Sequence, residues 1–222
     1  MFLVSDIRND ELNGLNEKND FLFNLKSAIL NYNKFVLVSS NPDEYEKNDK
    51  YLEFDRKLFE LSGIKFSEYI VLDNRNISDI NEIFNNCSLV LLSGGDTYIQ
   101  NMFFNSIDLK KYLKDMVIIG LSAGAINMAE SVYNSPESED DLKYDSVLKG
   151  LGLTNINVEP HFDIENENRI QMNSILNESY KRTIYGIPDG SYIFGNKVFG
   201  VCYRIKDGII DLINNDDSFK NI

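Results

Sequence analysis

The chain is poor in the side chains that bind metals and form disulfides. Its 222 residues include one histidine, His161, two cysteines, Cys87 and Cys202, and no tryptophan. Two cysteines without Cys-x-x-Cys spacing are too few for a disulfide framework, and a single histidine argues against a zinc site. We therefore expect no metal and no other cofactor. Two thiols buried as small apolar groups also suit a cytoplasmic protein.

Basic residues and long apolar runs are also scarce. The chain has 22 lysines and arginines against 35 aspartates and glutamates, which gives a formal net charge of -13. Binding to nucleic-acid phosphates needs a basic face, and an anionic membrane surface repels an acidic protein. No apolar run approaches the ~18 residues of a membrane span. The short apolar run at 1–4 ends at Ser5 and Asp6, unlike a signal peptide. We expect neither nucleic acid nor membrane among its partners.

Apolar and amphipathic segments alternate along the chain. Apolar runs typical of buried parallel strands alternate with helical patterns, and hairpin turns at Asn196 and Asp207-Gly208 separate shorter strands near the end. We predict strands at 34–39, 67–72, 88–92, 116–119, 154–158, 183–187, 191–194, 197–204 and 209–213, and helices at 20–30, 52–61 and 79–85. This order predicts an α/β fold with a mainly parallel central sheet and antiparallel strands near the C-terminus. The length suits one domain over residues 1–222, as a monomer or a homodimer.

The most informative run is Gly-Leu-Ser-Ala-Gly at residues 120–124. It stands between an apolar strand and a helix, which is the context of a nucleophile elbow. Small neighbours permit the strained turn that presents Ser122, and the backbone N–H of Ala123 is free to bind an oxyanion at the start of the helix. We interpret Ser122 as a nucleophile. The alternative is a tight structural turn.

A serine hydroxyl needs a base to take its proton, and that base is usually an imidazole. The chain offers only His161, which follows the predicted strand at 154–158. A lone histidine in a turn next to a proline is often structural. The elbow makes His161 the candidate base.

The acid that orients the base is harder to choose among 35 acidic residues. Asp189 stands in a Pro-Asp-Gly turn at the end of a predicted strand, where sites of α/β sheets gather. Asp163 and Glu159 are nearer to His161 in sequence. The order Ser122, His161, Asp189 differs from that of an α/β-hydrolase, in which the acid precedes the histidine.

A second glycine turn, Ser-Gly-Gly-Asp-Thr at 93–97, follows another apolar strand. Gly94 and Gly95 have no Cβ, so their backbone can approach a ligand and supply a second oxyanion donor. Asp96 or Thr97 also suits the N-cap of the next helix. Neither Gly-Lys-Ser/Thr nor Gly-x-Gly-x-x-Gly is present, which argues against a phosphate loop.

Four blocks together resemble the motifs of the peptidase E (aspartyl dipeptidase) family of serine peptidases, in the same order and at similar spacing. The blocks lie at 91–97, 119–125, 160–162 and 185–191. The resemblance implies a class I glutamine amidotransferase-like fold, which is a three-layer αβα arrangement around the central sheet.

The same resemblance assigns roles to the site residues. It implies that Ser122 is the nucleophile, His161 the base and Asp189 the third member of the triad. It also implies that the N–H groups of Gly95 and Ala123 form the oxyanion hole. As substrate-binding residues we predict Gly94, Asp96 and Arg169.

The sequence departs from aspartyl dipeptidases at two places. Asp189 stands where they have glutamate, and the segment after His161 lacks their Gly-Glu-Thr-Arg-Glu run, whose arginine suits a substrate carboxylate. Arg169 is the only cation in the shorter segment at 162–170. Without a dedicated arginine we expect no strong selection of an N-terminal aspartate.

We therefore predict a cytoplasmic serine peptidase that hydrolyses short peptides in the manner of a dipeptidase. The predicted route is a Ser122-His161-Asp189 triad and an acyl-enzyme. Two alternatives remain open. One is a sensing or binding protein that keeps the fold without turnover, and the other is a serine esterase or acyl hydrolase.

Overall fold

The computed structural model describes residues 1–9, 11, 13–215 and 219–222. In these residues the chain forms fourteen β-strands and six α-helices. The strands are β1 Phe2–Val4, β2 Lys34–Val38, β3 Glu68–Leu72, β4 Cys87–Leu92, β5 Val117–Leu121, β6 Ser131–Tyr133, β7 Val147–Lys149, β8 Asn157–Pro160, β9 Ile184–Ile187, β10 Tyr192–Phe194, β11 Lys197–Phe199, β12 Cys202–Lys206, β13 Ile209–Asn214 and β14 Lys220–Asn221. The helices are α1 Phe21–Ala28, α2 Tyr45–Leu61, α3 Ile80–Phe84, α4 Thr97–Ser106, α5 Ala123–Asn127 and α6 Arg169–Glu178.

The largest sheet has the strand order β14-β11-β10-β1-β5-β4-β2-β3 in the described part of the chain. The pairs β1–β5, β5–β4, β4–β2 and β2–β3 are parallel. The pairs β1–β10, β10–β11 and β11–β14 are antiparallel. The prediction of a mainly parallel sheet extended by antiparallel strands from the end of the chain is therefore confirmed.

Both faces of the central strands β1, β2, β4 and β5 are buried. Alternate residues of β2 separate into two cores: Phe35 and Leu37 pack with side chains of α1 and α2, whereas Val36 and Val38 pack with those of α3, α4 and α5. Because neither face meets water, the central strands contain few polar residues. This explains why continuous apolar runs predicted them well.

A smaller sheet has the order β13-β12-β9-β8, and β6 pairs with β7 in a separate hairpin. The prediction of one strand over 197–204 was wrong, because β11 belongs to the large sheet and β12 to the small one. Gly200 turns the chain between them with φ 79°. That conformation is accessible to glycine at little cost.

The topology gathers strand ends at one place. Ser5 follows β1, Ser93 follows β4 and Ser122 follows β5, at the carboxyl edge of three neighbouring parallel strands. Strand β8 ends directly before His161, and its parallel neighbour β9 ends two residues before Asp189. Among the described helices, none has the length and apolar character needed to cross a membrane.

Candidate active site

Ser122 occupies the turn between β5 and α5 with φ 50° and ψ -112°. A positive φ is uncommon outside glycine and persists only where the surrounding structure holds it. Here the N–H of Ser122 donates to the carbonyl oxygen of Val4 at 2.9 Å, and the N–H of Ile126 donates to the carbonyl oxygen of Ser122 at 3.1 Å. Strand β1 and helix α5 therefore both hold the strained serine in place.

The two glycines of the elbow allow the strand and the helix to approach closely. A Cβ on Gly120 would lie 2.7 Å from the Cα of Ala125. A Cβ on Gly124 would lie 2.8 Å from the carbonyl carbon of Leu92 in β4. Both distances are shorter than real Cβ contacts, so close packing requires glycine at both positions.

Buried amides connect this elbow to the second glycine turn. Gln100 donates to the carbonyl oxygen of Ser93 at 2.6 Å, and Asn127 donates to the side-chain oxygen of Gln100 at 3.0 Å. Both amide side chains are inaccessible to water. The network fixes the position of the second turn relative to α5, because buried amides retain their hydrogen-bond partners.

His161 links Ser122 to Asp189. Its Nε2 lies 3.2 Å from the Oγ of Ser122, and its Nδ1 lies 2.7 Å from an oxygen of Asp189. The three side chains thus form one continuous line of hydrogen bonds. His161 itself has φ 55°, so both Ser122 and His161 are held in an unusual backbone conformation.

The carboxylate of Asp189 orients the imidazole of His161 and favours its protonated form. The hydrogen bond to Asp189 raises the pKa of His161 above its ordinary value of 6.5, although partial burial opposes that shift. The same bond lowers the pKa of Asp189. An ionised Asp189 accepts the Nδ1–H, which leaves the Nε2 of the neutral ring as the acceptor facing Ser122.

The two other acids considered for this position make different contacts. The buried carboxylate of Glu159 accepts hydrogen bonds from Ser135 at 2.7 Å and Gln171 at 3.1 Å. Asp163 accepts one from a backbone N–H in its own turn at 2.9 Å. Of the three candidates, Asp189 is the one hydrogen bonded to the imidazole.

Sequence reasoning missed Ser5. Its hydroxyl donates to Asp189 at 2.6 Å and accepts from the backbone N–H of His161 at 2.7 Å, and the residue is fully buried. Ser5 reaches this position because β1 pairs in parallel with β5, which places the ends of the two strands side by side. A short strand at the start of the chain carries no local signal for such a role.

Three backbone N–H groups of the elbow and the second glycine turn have no acceptor among the described residues. A Cβ on Gly94 would lie 3.5 Å from the Cβ of Ser122, so the second glycine turn packs directly on the elbow. Gly95 follows with φ 146°. No described residue accepts a hydrogen bond from the backbone N–H of Gly94, Gly95 or Ala123. These donors remain available to a ligand.

Ser122 and His161 line a cavity of about 240 Å³. The other lining residues come from the segment after β1, from α2, from the second glycine turn and from the elbow: Ser5, Asp6, Ile7, Arg8, Tyr51, Phe54, Asp55, Ser93, Gly94 and Leu121. Arg8 contributes the positive charge of this wall, and three hydrogen bonds of 2.5–3.0 Å tie its guanidinium to Asp6.

Of the residues assigned to substrate binding, Gly94 lines this cavity and two others lie outside it. Asp96 is the N-cap of α4, where it accepts a hydrogen bond from the N–H of Ile99 at 2.9 Å. Arg169 is exposed at the start of α6 and borders a separate surface groove formed by residues between 164 and 173.

Comparison with known proteins identifies the family. The profile of peptidase family S51 matches residues 19–197, which is most of the chain. The chain belongs to peptidase family S51. This family membership makes it a serine peptidase. No curated protein sequence matches it.

A solved structure agrees with the fold of this S51 peptidase. The chain is similar to the 1.5 Å crystal structure of a candidate peptidase E protein from Listeria monocytogenes EGD-e, with a TM-score of 0.58 and 16% sequence identity. The match covers 100% of this chain and 97% of that chain. At this identity the likeness concerns the fold.

The thiols of this S51 peptidase are unsuited to act as nucleophiles. Cys87 and Cys202 are free and buried, and burial raises the pKa of each to about 12. Neither is ionised near neutral pH, and the thiolate is the reactive form. Within the described residues, no group of three or more histidine, cysteine or acidic side chains is arranged to hold a metal ion.

Proposed function

We propose that this S51 peptidase hydrolyses short peptides in the manner of a dipeptidase, through a triad of Ser122, His161 and Asp189. The observation that carries the proposal is the line of hydrogen bonds from Ser122 through His161 to Asp189, with 3.2 Å and 2.7 Å between the bonded atoms. This order of nucleophile, base and orienting acid matches the general triad template.

In the proposed reaction the Oγ of Ser122 attacks the peptide carbonyl carbon while the Nε2 of His161 takes the hydroxyl proton. The oxyanion binds the N–H groups of Ala123 and Gly95. The protonated His161 then gives its proton to the leaving amine, and the peptide C–N bond breaks to leave an acyl-enzyme. Water, deprotonated by His161, releases the acid and restores Ser122.

The size of the cavity supports a short substrate. Its volume of about 240 Å³ is below the ~300–1,000 Å³ typical of sites for drug-sized ligands. Such a cavity accepts a residue or two on the acyl side of the scissile bond. We further propose that the enzyme acts in the cytoplasm, where its buried free thiols stay reduced, as a monomer or a homodimer and without a cofactor.

The test compares wild type with Ser122→Ala on a panel of dipeptides, tripeptides and matched esters. We expect cleavage of short peptides by wild type and loss of that cleavage in the variant. A fluorophosphonate probe should label wild type and spare Ser122→Ala. Ser27→Ala, on the exposed face of α1, is the matched control and should be labelled like wild type.

Three other outcomes of these assays would change the proposed function. Turnover retained in a folded Ser122→Ala protein would rule out the mechanism. Ester cleavage without peptide cleavage would make the protein an acyl hydrolase. Neither labelling nor cleavage in folded wild type would indicate a binding role.

A further inference from the structure

Asp55 is a buried carboxylate in the wall of the cavity that contains Ser122. It lies on α2, is only 9% exposed, and lines the same cavity as Ser122 and His161. No described residue donates a hydrogen bond to its carboxylate, and Arg8 is the charged group that acts on it electrostatically. A buried carboxylate normally has such a partner, because burial without one is costly.

The other buried carboxylates of the described chain have partners. Asp73 binds Arg75, Glu178 binds Lys181 and Arg182, and one oxygen of Glu159 accepts hydrogen bonds from two side chains. Asp55 is the exception, and burial raises its pKa to about 7. Asp55 lines the cavity, so a ligand bound there can supply the missing partner.

Arg8, the cation that acts electrostatically on Asp55, already has a partner of its own. Both Nε and Nη2 of Arg8 are hydrogen bonded to Asp6, so the two charges largely cancel each other. Asp189 is hydrogen bonded to His161 and does not line the cavity. Among the residues that line the cavity, Asp55 is therefore the acid without a paired cation.

We propose that Asp55 anchors an ammonium-binding subsite beside Ser122, so that the preferred substrate presents a protonated amine to this cavity. The proposal rests on the proposed function for the position of the scissile bond. Tyr51 and Phe54, on the same helix, add aromatic rings to the wall. Such rings attract a cation and pack against the apolar stem that carries it.

A protonated amine in a short peptide has two sources, the N-terminal α-amino group and a lysine side chain. Four amides separate them: lysinamide carries both amines, norleucinamide the α-amine, Nα-acetyl-lysinamide the side-chain amine, and Nα-acetyl-norleucinamide neither. Calorimetric titration of Ser122→Ala protein with each amide measures binding without turnover. The amine that improves binding over the neutral amide identifies the source.

The decisive variant is Asp55→Asn, made in both the Ser122→Ala and the wild-type background. Asparagine keeps the shape and removes the charge that would pair with the amine. We expect the favoured amide to bind at least about tenfold more weakly in this variant, since its ammonium would be buried without a charged partner. Binding of the neutral amide should change by less than about twofold. Glu53→Gln, an exposed carboxylate of the same helix outside the cavity, should change neither.

Equal binding of all four amides, or no binding of any of them, would contradict the proposed subsite. An Asp55→Asn protein that still binds the amine more tightly than the neutral amide would contradict it as well. If an acidic compound such as succinamate bound more tightly than the amines, Arg8 rather than Asp55 would be the residue that binds the substrate. These outcomes are distinct from failure of the proposed function. A protein that binds the amine through Asp55 but neither cleaves peptides nor reacts with the fluorophosphonate keeps the subsite and loses only the peptidase mechanism.

Discussion

At the scale of single residues, one hydroxyl group connects the backbone of His161 to the carboxylate of Asp189. Ser5 donates to Asp189 and accepts from the N–H of His161, so it fixes both the acid and the base. Its Oγ is also 3.3 Å from the Nδ1 of the ring. Ser5 touches no substrate atom in the proposed mechanism and is therefore a positioning residue.

We predict that Ser5→Ala lowers kcat by about tenfold with little change in KM. A hydrogen bond to a charged group contributes about 1.5–3 kcal/mol, and its loss lets Asp189 rotate away from the imidazole. Steady-state kinetics on the best short peptide measure the effect. Ser5→Thr keeps the hydroxyl and should restore most of the rate. A kcat within about twofold of wild type in a folded Ser5→Ala protein would remove Ser5 from the site.

Asp189 carries a second prediction, on rate and on its pH dependence. Asp189→Asn should lower kcat by up to about 10⁴-fold, as in the general triad template, because the amide favours the wrong tautomer of His161. The base works when neutral, so activity rises with pH through the pKa of His161. Asp189 raises that pKa, and the rise should move to lower pH in the variant.

The matched control for this experiment is Asp163→Asn, which removes the charge of a neighbouring exposed carboxylate. Its side chain accepts a turn hydrogen bond that asparagine can also accept. We expect wild-type rates and an unchanged pH profile from it. A large loss in Asp163→Asn together with a mild effect of Asp189→Asn would transfer the role of the acid to Asp163.

At the scale of elements, the elbow depends on close packing of β4, β5 and α5. Gly124 faces the backbone of Leu92, which cannot move aside without disturbing the central sheet. A flexible side chain in the place of the Leu92 backbone could rotate away from an added methyl group. The free-energy cost of a methyl group at residue 124 therefore depends on the element that it meets.

We predict that Gly124→Ala lowers the free energy of unfolding by about 3 kcal/mol, the upper end for overpacking a core, and also lowers activity by displacing Ser122. Urea unfolding with parallel activity assays measures both. Gly195→Ala is the control, because no atom lies within 4 Å of its would-be Cβ. Its φ of 62° should cost about 1–2 kcal/mol without affecting the rate. Equal losses in the two variants would contradict the packing argument.

Strands were predictable from the sequence where burial on both faces requires a continuous apolar run, as at β2 and β4. The site was predictable where chemistry leaves a local pattern, as at Ser122, or an isolated residue type, as at His161. The break between β11 and β12 was not predictable from the sequence. Strands far away in the sequence determine which sheet each of the two strands joins. Ser5 likewise depends on which strand lies beside β5.

The role of Asp55 was only partly predictable from the sequence. It precedes Leu58 by three residues and Phe59 by four, so it shares the buried face of α2 with both. An acid on the apolar face of a helix is a sequence signal for a special environment. The pattern alone does not say that this face also reaches Ser122, because that depends on how α2 packs on the sheet.

At the scale of the whole molecule, three groups respond to pH in the same direction. Burial raises the pKa of Asp55 and of Glu159 to about 7, and Asp189 raises that of His161. Each group therefore holds a proton in the folded protein at pH values where the unfolded chain has released it. By linkage, the stability that these groups contribute falls as pH rises from about 5 to 8. The net charge of -13 adds repulsion in the same sense.

We predict that the melting temperature is higher at pH 5.5 than at pH 8, by at least about 4 °C. About 1 kcal/mol from each buried carboxyl already gives this difference, at roughly 2–4 °C per kcal/mol for a chain of this size. Asp55→Asn and Glu159→Gln should each raise the melting temperature at pH 8 and reduce the difference between the two pH values. Glu53→Gln, whose carboxylate is exposed, should leave that difference unchanged. A melting temperature that is constant or higher at pH 8 would mean that both buried carboxyls stay ionised in the folded protein, and the unpartnered state of Asp55 would have to be abandoned with it.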